Sequence, residues 1–293
     1  MFQAADWQRT PHSLPAPKGE RLLLVDGDGL AYTQAGPSGT TKEQARHNLI
    51  YKVRSAQRAV QATDVLVLLT QGGSHKGHRY AIATVKPYQG QRSSGRRPDQ
   101  WAYLRGLLEA RAFDFPIEST LDAEADDLFA YYAARRQEAV ILTQDKDMRM
   151  IPAIHLSWDD HLVIDTRDGS EPEVWGKQYG TRWFWLQMLT GDTADNIPGL
   201  PKYRHNGKDK PIGKVTAEKF LAGLSPAEVP HKVLDLYAAY YGDSWGEHVL
   251  EQAALLWMRR NPKDVLDVCA KGNPLHNLID QTTKDTILAR IVE

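Results

Sequence analysis

Thr120–Asp147, TLDAEADDLFAYYAARRQEAVILTQDKD, is the stretch around which the rest of the chain is organised. It carries two acidic clusters. Glu124, Asp126 and Asp127 open a segment with helical spacing, and Asp145 and Asp147 follow the apolar run AVILT, which reads as a buried strand. On a helix, Glu124 and Asp127 are three apart and share a face, with Asp126 about 100° round from each. Acids in a first turn also complement the helix dipole, which accounts for one or two of them. It does not account for Asp145 and Asp147, which leave the carboxyl end of a strand, where open α/β sheets place their sites. Two acidic clusters flanking one helix–strand unit form a donor set for hard divalent cations, which take carboxylate oxygens.

Working outward, Arg21–Gly27, RLLLVDG, reads as a buried strand with Asp26 at its carboxyl end and a turn at Gly27 and Gly29. A helix is expected over 41–61, capped by Thr40 or Thr41, with Ala45, Leu49, Ile50, Val53, Ala56 and Val60 at helical spacing. Val65–Thr70, VLVLLT, is a second buried strand. The run β, α, β predicts an α/β fold: a central, mainly parallel sheet flanked by helices. Residues 71–98 then break the pattern, with six Lys/Arg, two His and no acid. A structureless segment of that length inside a compact domain is functional or disordered. Its composition fits a flexible phosphate-gripping segment with Tyr80 and Tyr88 available to stack; a solvated surface loop is the plain alternative.

Further on, a helix is expected from Asp99 to Ala112, a short one at Met148–Ile151, and two short strands between His155 and Asp165 around a turn at Asp159-Asp160. From Arg182 an apolar helix runs into LTGDTADNIPGLP, where Asp192 and Asp195 are three apart. After a Lys-, Arg- and Gly-rich insertion, PIGKVTAEKFL enters a helix through Gly213 and Lys214. Two short helices joined by a glycine-containing hairpin would present backbone N–H groups to phosphate. Residues 226–293 read as helices, giving a helical C-terminal region.

At 293 residues and 42% hydrophobic, the chain can bury a sizeable core. A net charge of −1 points to no bulk partner. The single Cys269 excludes an internal disulfide and suits a reducing compartment. No apolar run reaches membrane-spanning length, and the first 20 residues lack a signal-peptide core. A cytoplasmic protein with a flexible lead-in at 1–20 is expected, with no membrane partner; oligomeric state is not readable.

Asp26, Glu124, Asp126, Asp127, Asp145, Asp147, Asp192 and Asp195 each end an apolar segment or open the helix after one. Gathered on one sheet edge, they could not all stay ionised without cations. Two divalent ions about 3.5–4 Å apart would neutralise them and clamp both oxygens of an in-line phosphoryl displacement. The charge pattern therefore predicts metal-dependent phosphodiester hydrolysis.

Four motifs in order, LLLVDGDGLAY, LDAEADDLFAYYA, VILTQDKDM and LTGDTADNIPGLP, resemble the 5′-3′ exonuclease and flap endonuclease family. That family includes the 5′-nuclease domain of bacterial DNA polymerase I and stand-alone phage exonucleases. The resemblance runs from about 21 to about 221. It implies a DNA-processing hydrolase acting at 5′ ends or 5′ flaps of duplex DNA in replication or repair, with RNA–DNA hybrids as a further candidate substrate. It makes the eight acids ligands of two Mg²⁺ or Mn²⁺ ions. Residues 72–98 fall at the family's arch, and 197–217 at a helix-hairpin-helix that grips DNA and, in relatives, a monovalent cation such as K⁺. It implies a nuclease core over 21–196 and a helix-hairpin-helix and helical region over 197–293.

Arg79, Lys86 and Arg92 are then the candidates for stabilising transition-state charge. Tyr88, Arg96, Arg97, Lys202, Lys208, Lys210, Gly213 and Lys214 are the candidates for holding DNA. Three departures stand out: Gln71 where the family has an aspartate after the second strand, Gln89 where it has an arch lysine, and the insertion 202–210. Lys86 is the nearest substitute for the missing lysine. One rival is a DNA-binding relative that no longer cuts. Another is a haloacid-dehalogenase-type phosphatase, with Asp26 of VDGDG as nucleophile and Asp28 as acid. It leaves Glu124, Asp126, Asp127, Asp145 and Asp147 without a role.

Overall fold

A computed structural model describes residues 8–9, 14–91 and 97–292. Arg92 and Arg96 lie outside the described residues. In chain order the first elements are β1 (Gln8–Arg9), β2 (Leu22–Asp26), α1 (Gly27–Thr33), α2 (Lys42–Ala59), β3 (Asp64–Thr70) and α3 (Arg79–Ile82). They continue with α4 (Trp101–Glu109), β4 (Ile117–Thr120), α5 (Ala125–Ala133), β5 (Ala139–Leu142), β6 (Ile154–Leu156) and β7 (Val163–Asp165). The remainder is β8 (Glu173–Val174), β9 (Lys177–Gln178), α6 (Thr181–Thr190), β10 (Lys202–His205), β11 (Lys208–Pro211), α7 (Lys214–Leu221), α8 (Glu228–Tyr241), α9 (Trp245–Leu256) and α10 (Gln281–Val292).

The main sheet has the order β1-β7-β6-β5-β2-β3-β4. Strands β6, β5, β2, β3 and β4 are parallel, whereas β7 and β1 add antiparallel at one edge. Apolar runs without polar alternation become the central strands because both sheet faces are covered. Leu23, Val25, Val67 and Leu69 meet Ala45, Leu49 and Val53 of α2 and Leu104 and Leu108 of α4. On the other face, Leu24 and Leu68 join a core with Phe129 of α5, Phe184 and Trp185 of α6, and Leu255 of α9. That second core runs without a break into Val233 of α8 and Ile287 of α10. Helix α2 starts where its capping residue places it, with the Thr41 hydroxyl accepting from Gln44 N at 3.2 Å.

Three expectations are corrected. The lead-in is not wholly free: Gln8–Arg9 pair with β7, whose open edge recruits a partner, and Leu14 is buried. Residues 71–91 are not a structureless loop either. A 3₁₀ turn at Lys76–His78 leads into α3, and Ile82 and Tyr88 enter the core. Finally, residues 197–221 are not two short helices about a hairpin. They hold an antiparallel β10–β11 ribbon followed by α7 alone, because Asn206-Gly207, at φ +50° and +73°, make the two-residue turn that closes a hairpin. Tyr203 anchors the ribbon edge-on against Phe220 of α7, with ring centroids 4.9 Å apart.

Candidate metal centre and nucleic-acid interface

The carboxyl ends of β2, β3 and β5 and the start of α5 open onto a cleft of about 800 Å³. Asp26, Glu124, Asp126, Asp145 and Asp195 line it, together with Gln71, Gln89, Lys76, Arg97 and Arg105. Each acid is placed by a local rule. Asp26 caps α1, accepting from Gly29 N at 2.8 Å, and its other oxygen accepts the Thr143 hydroxyl at 2.9 Å. Thr143 Oγ1 in turn accepts from Asp145 N at 2.9 Å, tying the first motif to the third. Helix α5 begins where Ala125 N donates to Thr70 Oγ1 at 2.9 Å, so β3 fixes the position of Glu124 and Asp126. Gln71, in the position of the absent aspartate, faces the cleft as an uncharged side chain.

These acids are short of positive charge. Burial, reinforced by Asp28 and Asp145 and opposed by the Gly29 N–H, pushes the Asp26 carboxyl up to about 6. Burial and the charges of Asp145, Glu124 and Asp26 push Asp126 well above the usual carboxylate range. Such a set repels itself until a cation joins it.

A second group lies alongside. Asp147, Asp192 and Asp195 place carboxylate oxygens within 4.8 Å of one another. Gly191 and Gly199 stand back to back at φ +68° and +63°, and a Cβ on Gly191 would lie 2.1 Å from Ile197 O. That close approach turns Asp192 inward. Lys146 lies among these acids, its ammonium 2.5 Å from Asp192 Oδ2 and 3.2 Å from Asp147 Oδ1. Burial opposes the charge on Asp192, but the bond from Lys146 outweighs it and holds this carboxyl low. Burial and the neighbouring Asp145 and Asp192 push Asp147 well up. Gln187 is buried and donates to Asp147 Oδ1 at 2.5 Å. The donor set, all carboxylate oxygen with unneutralised charge in both groups, fits hard divalent cations.

Two of the expected site residues form a structural pair instead. Asp127 is fully buried, and its two oxygens accept from Arg79 Nη1 and Nη2 at 2.8 Å each. Arg259 N donates to the same carboxylate at 3.0 Å. Burial opposes ionisation of Asp127, but Arg79 outweighs it and keeps the carboxylate below its ordinary value. Arg79 is equally buried and also donates to the Leu255 and Trp257 carbonyls at 3.2 and 3.0 Å. On the α5 helix, then, Asp126 turns to the cleft and Asp127 turns into the core. Both oxygens of Asp127 are taken up by these donors, and Arg79 lies outside the cleft lining, behind Glu124, whose Oε2 is 3.3 Å from Arg79 Nη1.

Tyr88 is buried rather than offered to a base, with its hydroxyl 2.8 Å from Glu124 Oε2 and 3.2 Å from Asp195 Oδ2. Gln89 donates to Asp195 Oδ1 at 3.0 Å and reaches Glu124 Oε1 at 3.4 Å, so glutamine itself fills the arch-lysine position. Lys86 is exposed and lies outside the cleft lining. Glu124 meets Lys76, 3.2 Å from its Oε1, as well as Arg79, whose Nη1 lies 3.3 Å from Oε2; of the two, Lys76 lines the cleft. Sequence reasoning missed it because nothing in SHKGH signals that the turn folds over α5. Lys146 sits in full view between Asp145 and Asp147, but spacing alone does not tell where its ammonium goes. Asp28 pairs with Arg105 and accepts from Thr70 N at 3.1 Å, which leaves it poorly placed to act as a phosphatase acid.

Of the expected DNA-holding residues, Arg97 is exposed at the cleft and stacks 3.9 Å over Trp101. Lys202, Lys208 and Lys210 are exposed on the ribbon, and Gly213 caps α7. Lys214 shares a cleft with Lys146 and Asp192, which brings the start of α7 beside the second acidic group. A larger recess of about 930 Å³ opens at Gln137, Glu138 and Arg167, and none of the eight acids lines it.

No family model matches the sequence. Bacterial DNA polymerase I sequences do match. That of Thermus aquaticus is 30% identical over 235 residues, 75% of this chain and 26% of its own length. Those of Rhizobium leguminosarum and Bacillus caldotenax are each 27% identical, covering 63% and 71% of this chain and 20% and 24% of their own lengths. The chain thus spans about a quarter or less of these relatives. Among solved structures, a bacteriophage T5 flap endonuclease complex with DNA and metal ions superposes with a TM-score of 0.61 at 18% identity, covering 94% of this chain and all of that one. T5 5′-exonuclease with bound zinc ions gives 0.56 at 19% identity over 93% of this chain and all of that one. The expected α/β fold and the resemblance to the 5′-nuclease family are both borne out.

Proposed function

We propose that this chain is a divalent-metal-dependent nuclease that hydrolyses phosphodiester bonds of DNA near 5′ ends or 5′ flaps. One observation carries the reading: acids from four separated motifs converge at the carboxyl edge of a parallel sheet as two adjacent groups. Asp26, Glu124, Asp126 and Asp145 would hold one ion, Asp147, Asp192 and Asp195 the other, with Asp195 near both. Bound there, the ions supply an activated water and a charge clamp on the reacting oxygens. Mg²⁺ or Mn²⁺ suits an all-carboxylate site of this kind.

The chain's own residues do the rest. Thr143 and the Gly29 N–H hold the Asp26 carboxylate in one orientation. Tyr88 and Gln89 brace Glu124 and Asp195 against each other. Lys76 and Arg97 at the cleft are the cations placed to meet a phosphate backbone, and they take over the role first expected of Arg79 and Lys86. The basic β10–β11 ribbon and the start of α7 grip duplex phosphates further out. K⁺ binding near Gly213 belongs to the same reading.

The test is a 5′-labelled flap duplex incubated with Mg²⁺ and then with EDTA, beside an Asp145→Asn, Asp147→Asn double variant. Cleavage by the wild type in Mg²⁺ alone supports the proposal. Tight binding with no product in Mg²⁺ or Mn²⁺ would instead favour a non-cutting DNA-binding relative, with Gln71 and Gln89 as the reason.

A further inference from the structure

Strands β8 and β9 pair Glu173 with Gln178 and Val174 with Lys177, so Trp175-Gly176 is the whole turn between them. Both turn residues have positive φ, +49° and +69°. Hairpin turns of this kind favour Asn-Gly or Gly-Gly, because a side chain at left-handed φ is strained. A tryptophan here therefore works against the turn. Nor does it serve the core, being 58% exposed.

What it does is wall a cleft of about 370 Å³ at the carboxyl ends of β5 and β6. Its lining also includes Trp158 and Tyr179, the basic Arg149 and Lys177, Asp145 of the acidic cleft, and Asp159 and Asp160. Arg149 makes no ion pair among the described residues, and its guanidinium carbon lies 6.0 Å from the Tyr179 ring centre and 5.3 Å from that of Trp183. β2, β5 and β6 are successive neighbours in the sheet, and adjacent strands lie about 4.8 Å apart. A strand of DNA with a phosphate at Asp26 and Asp145 would thus bring its next nucleotide over this cleft.

The geometry points to a nucleobase subsite. Trp175 stacks an unpaired base of the strand next to the cleaved phosphate, while Arg149 and Lys177 face the attached phosphate. Stacking on an aromatic shelf tolerates any base and strengthens single-strand binding. This inference rests on the nuclease reading but can fail separately from it.

The experiment uses two probes with Ca²⁺ present: a flap duplex carrying 2-aminopurine at successive positions across the 5′ junction, and an unstructured single-stranded oligodeoxynucleotide. The proteins are wild type, Trp175→Ala, Trp175→Gly and Trp175→Phe. A fluorescence change at one or two positions is expected in the wild type and in Trp175→Phe. It should be lost in Trp175→Ala and Trp175→Gly, with affinity at least about fivefold weaker. Trp175→Gly should melt no lower than wild type, since glycine accepts the positive φ. Equal or absent binding across wild type and Trp175→Ala overturns the subsite, as does a lower Tm for Trp175→Gly that accounts for its binding loss. Trp175-dependent binding without cleavage in Mg²⁺ counts against the nuclease reading alone.

Discussion

Replacing Asp127 and Asp126 in turn separates a structural acid from a functional one on adjacent positions of the same helix. Asp127→Asn keeps the shape of the side chain but leaves the fully buried Arg79 guanidinium facing a neutral amide. Removing one partner of a buried ion pair costs about 3–5 kcal/mol when the other charge is left uncompensated; here Glu124 Oε2 stays 3.3 Å from Arg79 Nη1, which sets the cost at the low end, about 3 kcal/mol. Each kcal/mol moves the Tm of a chain somewhat shorter than this one by about 2–4 °C, so the expected fall is roughly 6–12 °C. Arg79→Lys should do no better, since an ammonium cannot reproduce two parallel bonds to one carboxylate. Asp126→Asn removes a carboxyl that burial and Asp145 already disfavour as an anion. Without metal at pH 8 it should leave the Tm unchanged or raised. Melting in EDTA and Mn²⁺ titration followed by the electron paramagnetic signal of the free ion read the two effects. Asp127→Asn should melt early yet bind Mn²⁺ when folded, and Asp126→Asn should melt normally and bind it weakly. A variant Asp127→Asn with wild-type Tm and no Mn²⁺ binding would refute the reasoning and return Asp127 to the ligand set.

Three further expectations concern the same surfaces. Lys146→Met removes the ammonium between Asp147 and Asp192, so Mn²⁺ should bind the second acidic group more tightly; an unchanged isotherm would mean that the lysine swings clear at no cost. The Asp26 carboxyl is raised by burial to about 6. The stability it contributes is therefore complete below about pH 4 and is lost as pH rises through 6. In EDTA, Asp26→Asn should flatten that part of the Tm–pH curve, and an identical curve would contradict the assignment. Replacing Lys208 and Lys210 on the exposed ribbon by Ala should reduce the salt slope of duplex binding by about 2, whereas a slope equal to wild type would remove the ribbon from the interface.

The sequence by itself carried the central strands β2, β3 and β5, the mainly parallel character of the sheet and the acids at the ends of those strands. These depend on short-range pattern: an apolar run as short as LLLV, closed by a glycine turn at Gly27 and Gly29, reads as a strand covered on both faces, and the residue that ends it lies at the carboxyl end of the sheet. The motifs around Asp26, Asp145 and Asp192 were legible for that reason. Tertiary contact alone decided how the acids divide. Asp126 and Asp127 are neighbours in sequence, and only the arrival of Arg79, 48 residues earlier, turns the second into a core residue. Arg79 is in turn held by the Leu255 carbonyl, 176 residues away. Tyr88 looks like a loop residue until Asp195, 107 positions later, comes within reach of its hydroxyl. Desolvation sets these roles, and it depends on which distant segments exclude water from a side chain, a quantity that no local spacing contains.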